Sequence, residues 1–157
     1  MFGLNQSGVN AYAKVGIETG VLAASPNKLT IMLYEGAIAA SRSAQGYMQS
    51  QDIMNKGIMI SKAISIIETG LRLSLDKKAG GEIAQSLDAL YAYMSKRLMT
   101  ANIQNKPELI QEVIGLLADL KGAWEAIDQV KTAAHDIAKP SPAPMSVNRN
   151  IANYAQA

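Results

Sequence analysis

The sequence lacks the residues on which most catalytic and metal sites depend. It contains no cysteine and a single histidine, His135, among 157 residues. Without cysteine there is no disulfide framework, thiolate nucleophile or thiolate ligand, which fits a reducing compartment. One histidine cannot build a multi-histidine metal site, and no glutamate has a histidine three residues later, as the carboxylate sites of helical bundles require. We therefore expect no metal, no cofactor and no enzymatic activity.

Aromatic residues, strong net charge and long apolar runs are scarce as well. Aromatics make up 5% of the chain, and the net charge is only +2, with lysine and arginine scattered along it. That charge is too weak and too dispersed for a nucleic-acid surface. No apolar run reaches membrane-spanning length, and the first residues lack the basic and apolar regions of a secretory signal. We expect a cytoplasmic protein that neither binds nucleic acid nor inserts into a membrane.

What the chain does have is aliphatic side chains at helical spacing, and residues 25–48 carry the strongest example. Ser25 is placed to cap a helix, and Pro26 suits its first turn. Ile31, Tyr34 and Ile38 form a second apolar cluster about 150° round the helix from the predicted core-facing stripe. Two interpretations stay open: a helix surrounded on all sides, or a helix whose back face binds a partner chain.

Three further helices of similar length are predicted at about 52–75, 82–103 and 107–130. Short connections between matched helices favour an all-α, antiparallel up-down four-helix bundle over residues 25–130. Residues 1–24 read as a mobile N-terminal arm, and residues 131–157 as a flexible, disordered tail rich in Pro, Ala and Ser. The predicted core-facing residues are Leu29, Leu33, Gly36, Ala37, Ala40, Ala44, Tyr47, Ile53, Gly57, Ile60, Ile64, Ile67, Leu71, Leu75, Ile83, Leu87, Leu90, Met94, Leu98, Ala101, Leu109, Val113, Leu116, Leu117, Leu120, Trp124 and Ile127.

Several large apolar residues fall outside these stripes and are expected in or beside grooves on the outside of the bundle. So many on several helices suggest a binding surface for amphipathic segments. The predicted groove residues are Ile31, Tyr34, Ile38, Ile58, Ile66, Leu73, Met99, Ile110 and Ile114.

Short motifs occur along the bundle in a characteristic order. They are ASPNKL at 24–29, MLYEGA at 32–37, SLD at 74–76, GGEIA at 80–84, LDALYAYM at 87–94 and AWEAI at 123–127, with Ala11-Tyr12 before them and Leu98 and Ala101-Asn102 between the last two. Together they cover about residues 10–130, and in this order they resemble FliS, the flagellar export chaperones that bind flagellin.

The resemblance implies a cytosolic protein that binds the C-terminal segment of newly made flagellin. It also implies that the protein prevents premature polymerisation and helps deliver flagellin to the flagellar type III export apparatus. In that family the flagellin segment wraps around the outside of the bundle, which would explain the surplus apolar residues. By the same resemblance, Tyr12 and Val15 in the arm are expected to act as a displaceable plug of the groove. The long tail departs from the common family length, so the resemblance implies nothing about it.

Two other readings remain open. A helical adaptor or structural subunit could use the extra apolar face to form a homodimer, and it would stay dimeric at low concentration and ignore flagellin. An enzyme would need turnover of a named substrate, and no residue pattern suggests one.

Overall fold

The computed structural model describes residues 24–138, which form four helices. Helix α1 spans Pro26–Gln49, α2 spans Ile53–Ser65 and continues as a π-helical segment, Ile66–Arg72, α3 spans Gly81–Gln104, and α4 spans Pro107–Ala138. Residues 24–138 contain no strand. The all-α bundle prediction is confirmed. Apart from Ala24, the predicted arm lies outside the described residues, as does the tail beyond residue 138.

The helix boundaries follow local capping chemistry. The Ser25 hydroxyl accepts a hydrogen bond from the Lys28 backbone N–H at 3.2 Å, as predicted from its position before Pro26. Asp52 caps α2 in the same way, accepting from the Asn55 N–H at 3.2 Å. Asn105 ends α3 in the left-handed conformation with φ of 51°. Polar residues therefore set both connections at this end of the bundle.

The turn between α2 and α3 needs both of its glycines. Gly81 has φ of +53°, a conformation that other residues adopt at a cost. A Cβ on Gly80 would lie 2.6 Å from the Ala84 Cβ and 2.9 Å from the Asp76 carbonyl oxygen. Asp76 closes the turn, since its side chain accepts hydrogen bonds from the Lys78 and Ala79 N–H groups. The turn is thereby too tight for any side chain at Gly80.

Each helix packs on its neighbours in sequence, and α1 also packs on α4, so α1 and α3 stand diagonally opposite. This is the up-down arrangement that short connections dictate. Across the diagonal, the hydroxyls of Tyr34 and Tyr91 lie 2.5 Å apart in the buried core. Most of the rest of the core is aliphatic, with Ile60, Leu98 and Leu117 fully buried from the other helices. The other buried polar residues in the described part of the chain are Ser41, Lys56 and Ser95.

Five of the nine predicted groove residues lie in the core and not on the outside. Ile31, Tyr34 and Ile38 of α1 are buried, and so are Ile110 and Ile114 of α4. The prediction gave each helix a single core-facing stripe, but α1 is packed between α2 and α4, so its buried arc extends over both of its apolar clusters. Helix α1 is nevertheless not surrounded on all sides, because Met32, Glu35, Ala39 and Arg42 form an exposed face.

The phase was also wrong in the opposite sense at three residues. Ile53, Ile83 and Ile127 were predicted to face the core but are exposed. Ile53 and Ile83 lie in the first turns of α2 and α3, where the neighbouring helices do not cover them. Helix α4 ends at Ala138, eight residues beyond the predicted end near Val130, so the first part of the predicted tail is helical.

The sequence pattern predicted a regular second helix, but the last part of this helix is π-helical. Its π-helical segment lies against α1, and a Cβ on Gly70 would come within 2.9 Å of the Leu33 Cδ2. The amide of Leu73 closes the segment by donating to the Glu68 carbonyl, five residues earlier, at 3.1 Å. Leu73 itself, a predicted groove residue, is exposed just after this segment.

Candidate protein-binding surface

Five large, exposed apolar side chains lie on α2 and α3 toward one end of the described bundle. Their exposed fractions range from 52% to 79%. The two helices are neighbours there, since the Lys56 Nζ donates to the Asn102 carbonyl oxygen at 3.1 Å. We call this the α2–α3 surface, and its members are Ile53, Met54, Ile58, Met99 and Ile103.

Of the nine predicted groove residues, Ile58 and Met99 lie on this surface. Leu73 is exposed near the other end of the bundle, and Ile66 is half-buried, with its Cδ1 3.4 Å from a Cβ built on Gly36. The predicted site is therefore not one continuous groove: three members are exposed, one is half-buried and five are in the core.

A cavity of about 390 Å³ opens at the end of the bundle where α1 begins and α2 ends. Trp124 and Tyr91 contribute its aromatic surface, and the tight turn at Gly80 forms part of its wall. We call it the Trp124 cavity, and its other lining residues are Thr30, Leu71, Ser74, Leu75, Asp76, Ala79, Ile83, Ala84 and Leu87. Concave and mainly apolar, it suits an apolar side chain of a bound polypeptide.

A second cavity, of about 480 Å³, opens at the opposite end, where α1 ends and α2 begins. We call it the Lys56 cavity. It adjoins the α2–α3 surface through Ile53, and its other lining residues are Tyr47, Met48, Gln49, Gln51, Lys56, Asn105 and Pro107. The 24 residues of α1 span about 36 Å at 1.5 Å per residue, so the two cavities are separated by most of the length of the bundle.

Charge is distributed unevenly between the two ends. Helix α2 and residues 89–104 of α3 contain lysine and arginine but no aspartate or glutamate. Lys62 and Lys96 are exposed there, and neither forms an ion pair with another described residue. The α2–α3 surface is therefore apolar with a basic border, which favours a partner that carries negative charge beside its apolar residues.

Two carboxylates at the other end, those of Glu68 and Asp88, form ion pairs within the bundle. Arg72 Nε lies 2.9 Å from Asp88 Oδ1, and Lys77 Nζ lies 3.4 Å from the same oxygen. Hydrogen bonds from Arg72, and then from Lys77, hold the pKa of Asp88 below its ordinary value. Arg72 also contacts Glu68, one turn earlier, at 2.9 Å. Through Asp88, this group of ion pairs connects the end of the second helix to α3.

A similar group fastens α3 to α4. The Tyr93 hydroxyl donates to Glu112, and the Arg97 Nη2 lies 2.7 Å from the Glu112 Oε2. The hydrogen bond from Tyr93, followed by that from Arg97, lowers the pKa of Glu112. The Tyr93 hydroxyl therefore has a structural partner within the bundle.

The sequence reasoning missed Lys56, which is only 4% exposed. A signal was available: Lys56, Ile60, Ala63 and Ile67 follow one another at spacings of four, three and four, all on the buried face of the second helix. The predicted stripe used Ile53 and Gly57 for the first turn, and this displaced the lysine from the face that it occupies.

Residues 24–138 do not contain a set of side chains that could bind a metal ion. No group of three His, Asp or Glu side chains in that range could hold a metal ion. Helices long and apolar enough to cross a membrane were also sought in this part of the chain, and none was found.

The fold and its exposed apolar surface define a helical bundle of the kind that binds other polypeptides. A family model described as "Flagellar protein FliS" matches residues 8–131. The "Flagellar secretion chaperone FliS" of Salmonella typhimurium is 46% identical over 121 residues, which are 77% of this chain and 90% of the relative. Its namesake in Escherichia coli is 42% identical over 118 residues (75% and 87%). That of Bacillus subtilis is 33% identical over 131 residues (83% and 93%). The chain belongs to the FliS family.

Proposed function

We propose that the protein is a cytosolic export chaperone specific for flagellin. It binds the C-terminal segment of flagellin, prevents premature polymerisation, and aids delivery to the flagellar type III export apparatus. Family membership supports the chaperone class, since the curated relatives are named flagellar secretion chaperones. The observation that carries the binding role is the α2–α3 surface, where five large apolar side chains are exposed on two neighbouring helices.

Such a surface suits a client that is disordered before it binds. A disordered segment gains affinity from many shallow apolar contacts, because these must offset the cost of ordering it. The α2–α3 surface and the Trp124 cavity offer such contacts at two places along the bundle. An extended client crossing both would be held without a single deep pocket.

The proposed binding residues differ from the predicted set. We propose Ile58 and Met99, joined by Met54 and Ile103, as client contacts on the α2–α3 surface, and Leu73 near the opposite end. The five buried members of the predicted set are left out. The plug formed by Tyr12 and Val15 remains a proposal, and both residues lie outside the described part of the chain.

Calorimetric titration with a peptide of the C-terminal segment of flagellin from the same organism tests the function. We expect saturable binding with a negative heat-capacity change, because apolar surface is buried. Ile58→Asp and Met99→Asp should each weaken binding by about 10-fold or more, since each places a charge against an apolar contact. Both side chains are exposed, so both variants should keep the stability of the parent.

The matched control is Ile137→Asp, which places the same charge on an isoleucine that is also exposed but near the end of α4. Its affinity should equal that of the parent. If the folded wild-type protein does not bind the peptide, the flagellin assignment is wrong. If it is also dimeric at low concentration, the adaptor reading takes its place. Binding that survives Ile58→Asp and Met99→Asp would remove the α2–α3 surface from the proposal while keeping the function.

A further inference from the structure

The Lys56 cavity has a buried cation in its wall. Lys56 is 4% exposed, and its Nζ donates to the Asn105 Oδ1 at 2.5 Å and to the Asn102 carbonyl oxygen at 3.1 Å. Both acceptors are neutral, whereas a lysine ammonium has three N–H donors. One donor and the whole positive charge therefore remain to be matched.

No described carboxylate supplies the missing charge. Within residues 24–138, no aspartate or glutamate oxygen lies within 4.0 Å of the Lys56 Nζ. Asp52, one turn earlier, is engaged by Asn55, whose backbone N–H and side-chain Nδ2 donate to it at 3.2 and 2.7 Å. Buried charges in proteins are normally paired, because taking an unpaired charge from water is costly. The Lys56 ammonium is thus prepared for an anion that arrives in the cavity.

The lining of the cavity specifies what kind of anion fits. Gln49, Gln51 and Asn105 supply side-chain amides, which can donate to a carboxylate and accept from a peptide N–H. Tyr47, Met48 and Ile53 supply apolar surface for the residue that carries the carboxylate. A cavity of about 480 Å³ is large enough for one amino-acid residue with its backbone, and Ile53 connects it to the α2–α3 surface.

We propose that the Lys56 cavity binds a carboxylate of the client polypeptide, with Lys56 as its counter-ion. The inference rests on the proposed function, because it assigns a fixed point to the same bound segment. The carboxylate comes either from the C-terminus of the client or from one of its acidic side chains, and both have the same chemistry. Apolar contacts on the α2–α3 surface would then supply most of the affinity, and the ion pair would set the register of the client.

The test compares wild-type protein with three kinds of flagellin C-terminal peptide. One is the free acid, one is the C-terminal amide, and the others have each Asp or Glu replaced singly by Asn or Gln. Loss of a charge-assisted hydrogen bond at a buried site should weaken binding by about 10-fold or more. We expect that loss for one carboxylate: for the amide if the source is the C-terminus, or for one side-chain replacement otherwise.

The variant Lys56→Met connects the effect to the lysine. This variant keeps a long apolar side chain. The peptides with and without the critical carboxylate should bind to it with equal affinity. Lys28→Met is the matched control, because it removes an exposed lysine in the first turn of α1, at the opposite end of the bundle, and should leave the wild-type preference unchanged. If Lys56→Met does not fold, the peptides are compared on the wild-type protein at several salt concentrations. The loss of affinity caused by removing the critical carboxylate should then decrease with salt far less than is expected for an exposed ion pair.

The outcomes separate this inference from the proposed function. If no peptide binds, the proposed function fails and this inference fails with it. If the peptides all bind with the same affinity, the chaperone function stands and the carboxylate site is wrong. A preference for the carboxylate that persists in folded Lys56→Met would also overturn the assignment, since the counter-ion would then be another residue.

Discussion

The hydroxyls of Tyr34 and Tyr91 meet in a core that is mostly aliphatic. They lie 2.5 Å apart, and both residues are at most 1% exposed. A buried hydroxyl needs a partner, and here each hydroxyl is the partner of the other across the diagonal of the bundle. The pair therefore favours one relative placement of α1 and α3, which share few other contacts.

Replacing either tyrosine alone by phenylalanine should destabilise the protein by more than half of the loss seen in the double variant. Tyr34→Phe leaves the buried Tyr91 hydroxyl without a partner, for which we expect a loss of about 1–3 kcal/mol in the free energy of unfolding. Tyr91→Phe should cost less, because the Tyr34 hydroxyl keeps its hydrogen bond with Trp124. The double variant should lose less than the sum, because both polar groups are then gone. Denaturant unfolding of the four proteins as a double-mutant cycle measures this coupling. Additive losses would contradict a direct hydrogen bond.

The same pair predicts a loss of stability at high pH. Burial raises the pKa of both phenols, so both stay protonated in the folded protein above about pH 10, where tyrosines of the unfolded chain ionise. Their contribution is complete below about pH 10 and declines as pH rises towards the folded pKa values. Each phenol should lower the free energy of unfolding by about 1.4 kcal/mol per pH unit in that range.

Denaturant unfolding between about pH 9 and pH 11 checks this slope. The Tyr34→Phe/Tyr91→Phe protein retains the other titrating groups, and its stability should fall less steeply than that of the wild type. Equal slopes for the two proteins would show that the buried phenols do not control the alkaline limit.

At the scale of the elements, the sequence was sufficient where local chemistry decides. Ser25 and Pro26 set the start of α1, and Asp52 sets the start of α2, because a cap acts within a few residues. The phase of α1 could not be obtained in this way. Leu29 and Leu33 compete with Ile31 and Tyr34 as core-facing residues, and which of them is covered depends on where α2 and α4 pack.

The turn between α2 and α3 makes a prediction about its first glycine. Gly80→Ala should destabilise the protein, because the new Cβ would lie 2.9 Å from the backbone oxygen of Asp76 and 2.6 Å from the Ala84 Cβ. We expect a loss of about 1–3 kcal/mol in the free energy of unfolding. Gly46→Ala is the control: it lies in α1 with open space around the new Cβ, and it should stabilise by up to about 1 kcal/mol. A neutral Gly80→Ala would show that the turn relaxes freely.

The ion pairs that fasten α2 to α3 predict a dependence on acid. Since Arg72 and Lys77 hold the pKa of Asp88 below its ordinary value, its contribution is complete above about pH 4 and is lost as pH falls through the lowered pKa. Asp88→Asn should therefore destabilise the protein at neutral pH and make little difference at about pH 2. Urea unfolding of both proteins at the two pH values is the measurement. If the stability of the two proteins differs by the same amount at both pH values, the ion pairs are not the cause of the difference.

At the scale of the whole molecule, the candidate site shows where sequence reasoning stops. The core-facing stripes of the four helices do not use all of the apolar residues, so the sequence predicts a surplus. Ile58 and Met99 are exposed as expected. The cavities could not be foreseen, because each is formed by residues from different helices meeting at one end of the bundle. Lys56 and Asn105 are 49 positions apart in the chain, and only the packing of α2 on α3 brings them together.

The length of α4 leads to the last prediction. Its 32 residues exceed the 24 of α1 and α3, and residues 131–138 are all exposed, so they bury little against the bundle. A protein that ends after Val130 should keep its free energy of unfolding within about 0.5 kcal/mol, because none of the described residues 131–138 is part of the core. Flagellin binding by this shortened protein should also be unchanged, since the α2–α3 surface and both cavities are formed by residues before Lys131. Denaturant unfolding and peptide titration measure the two quantities. A large loss of stability would place part of the core beyond Val130, whereas lost binding with intact stability would assign the client a contact beyond Val130.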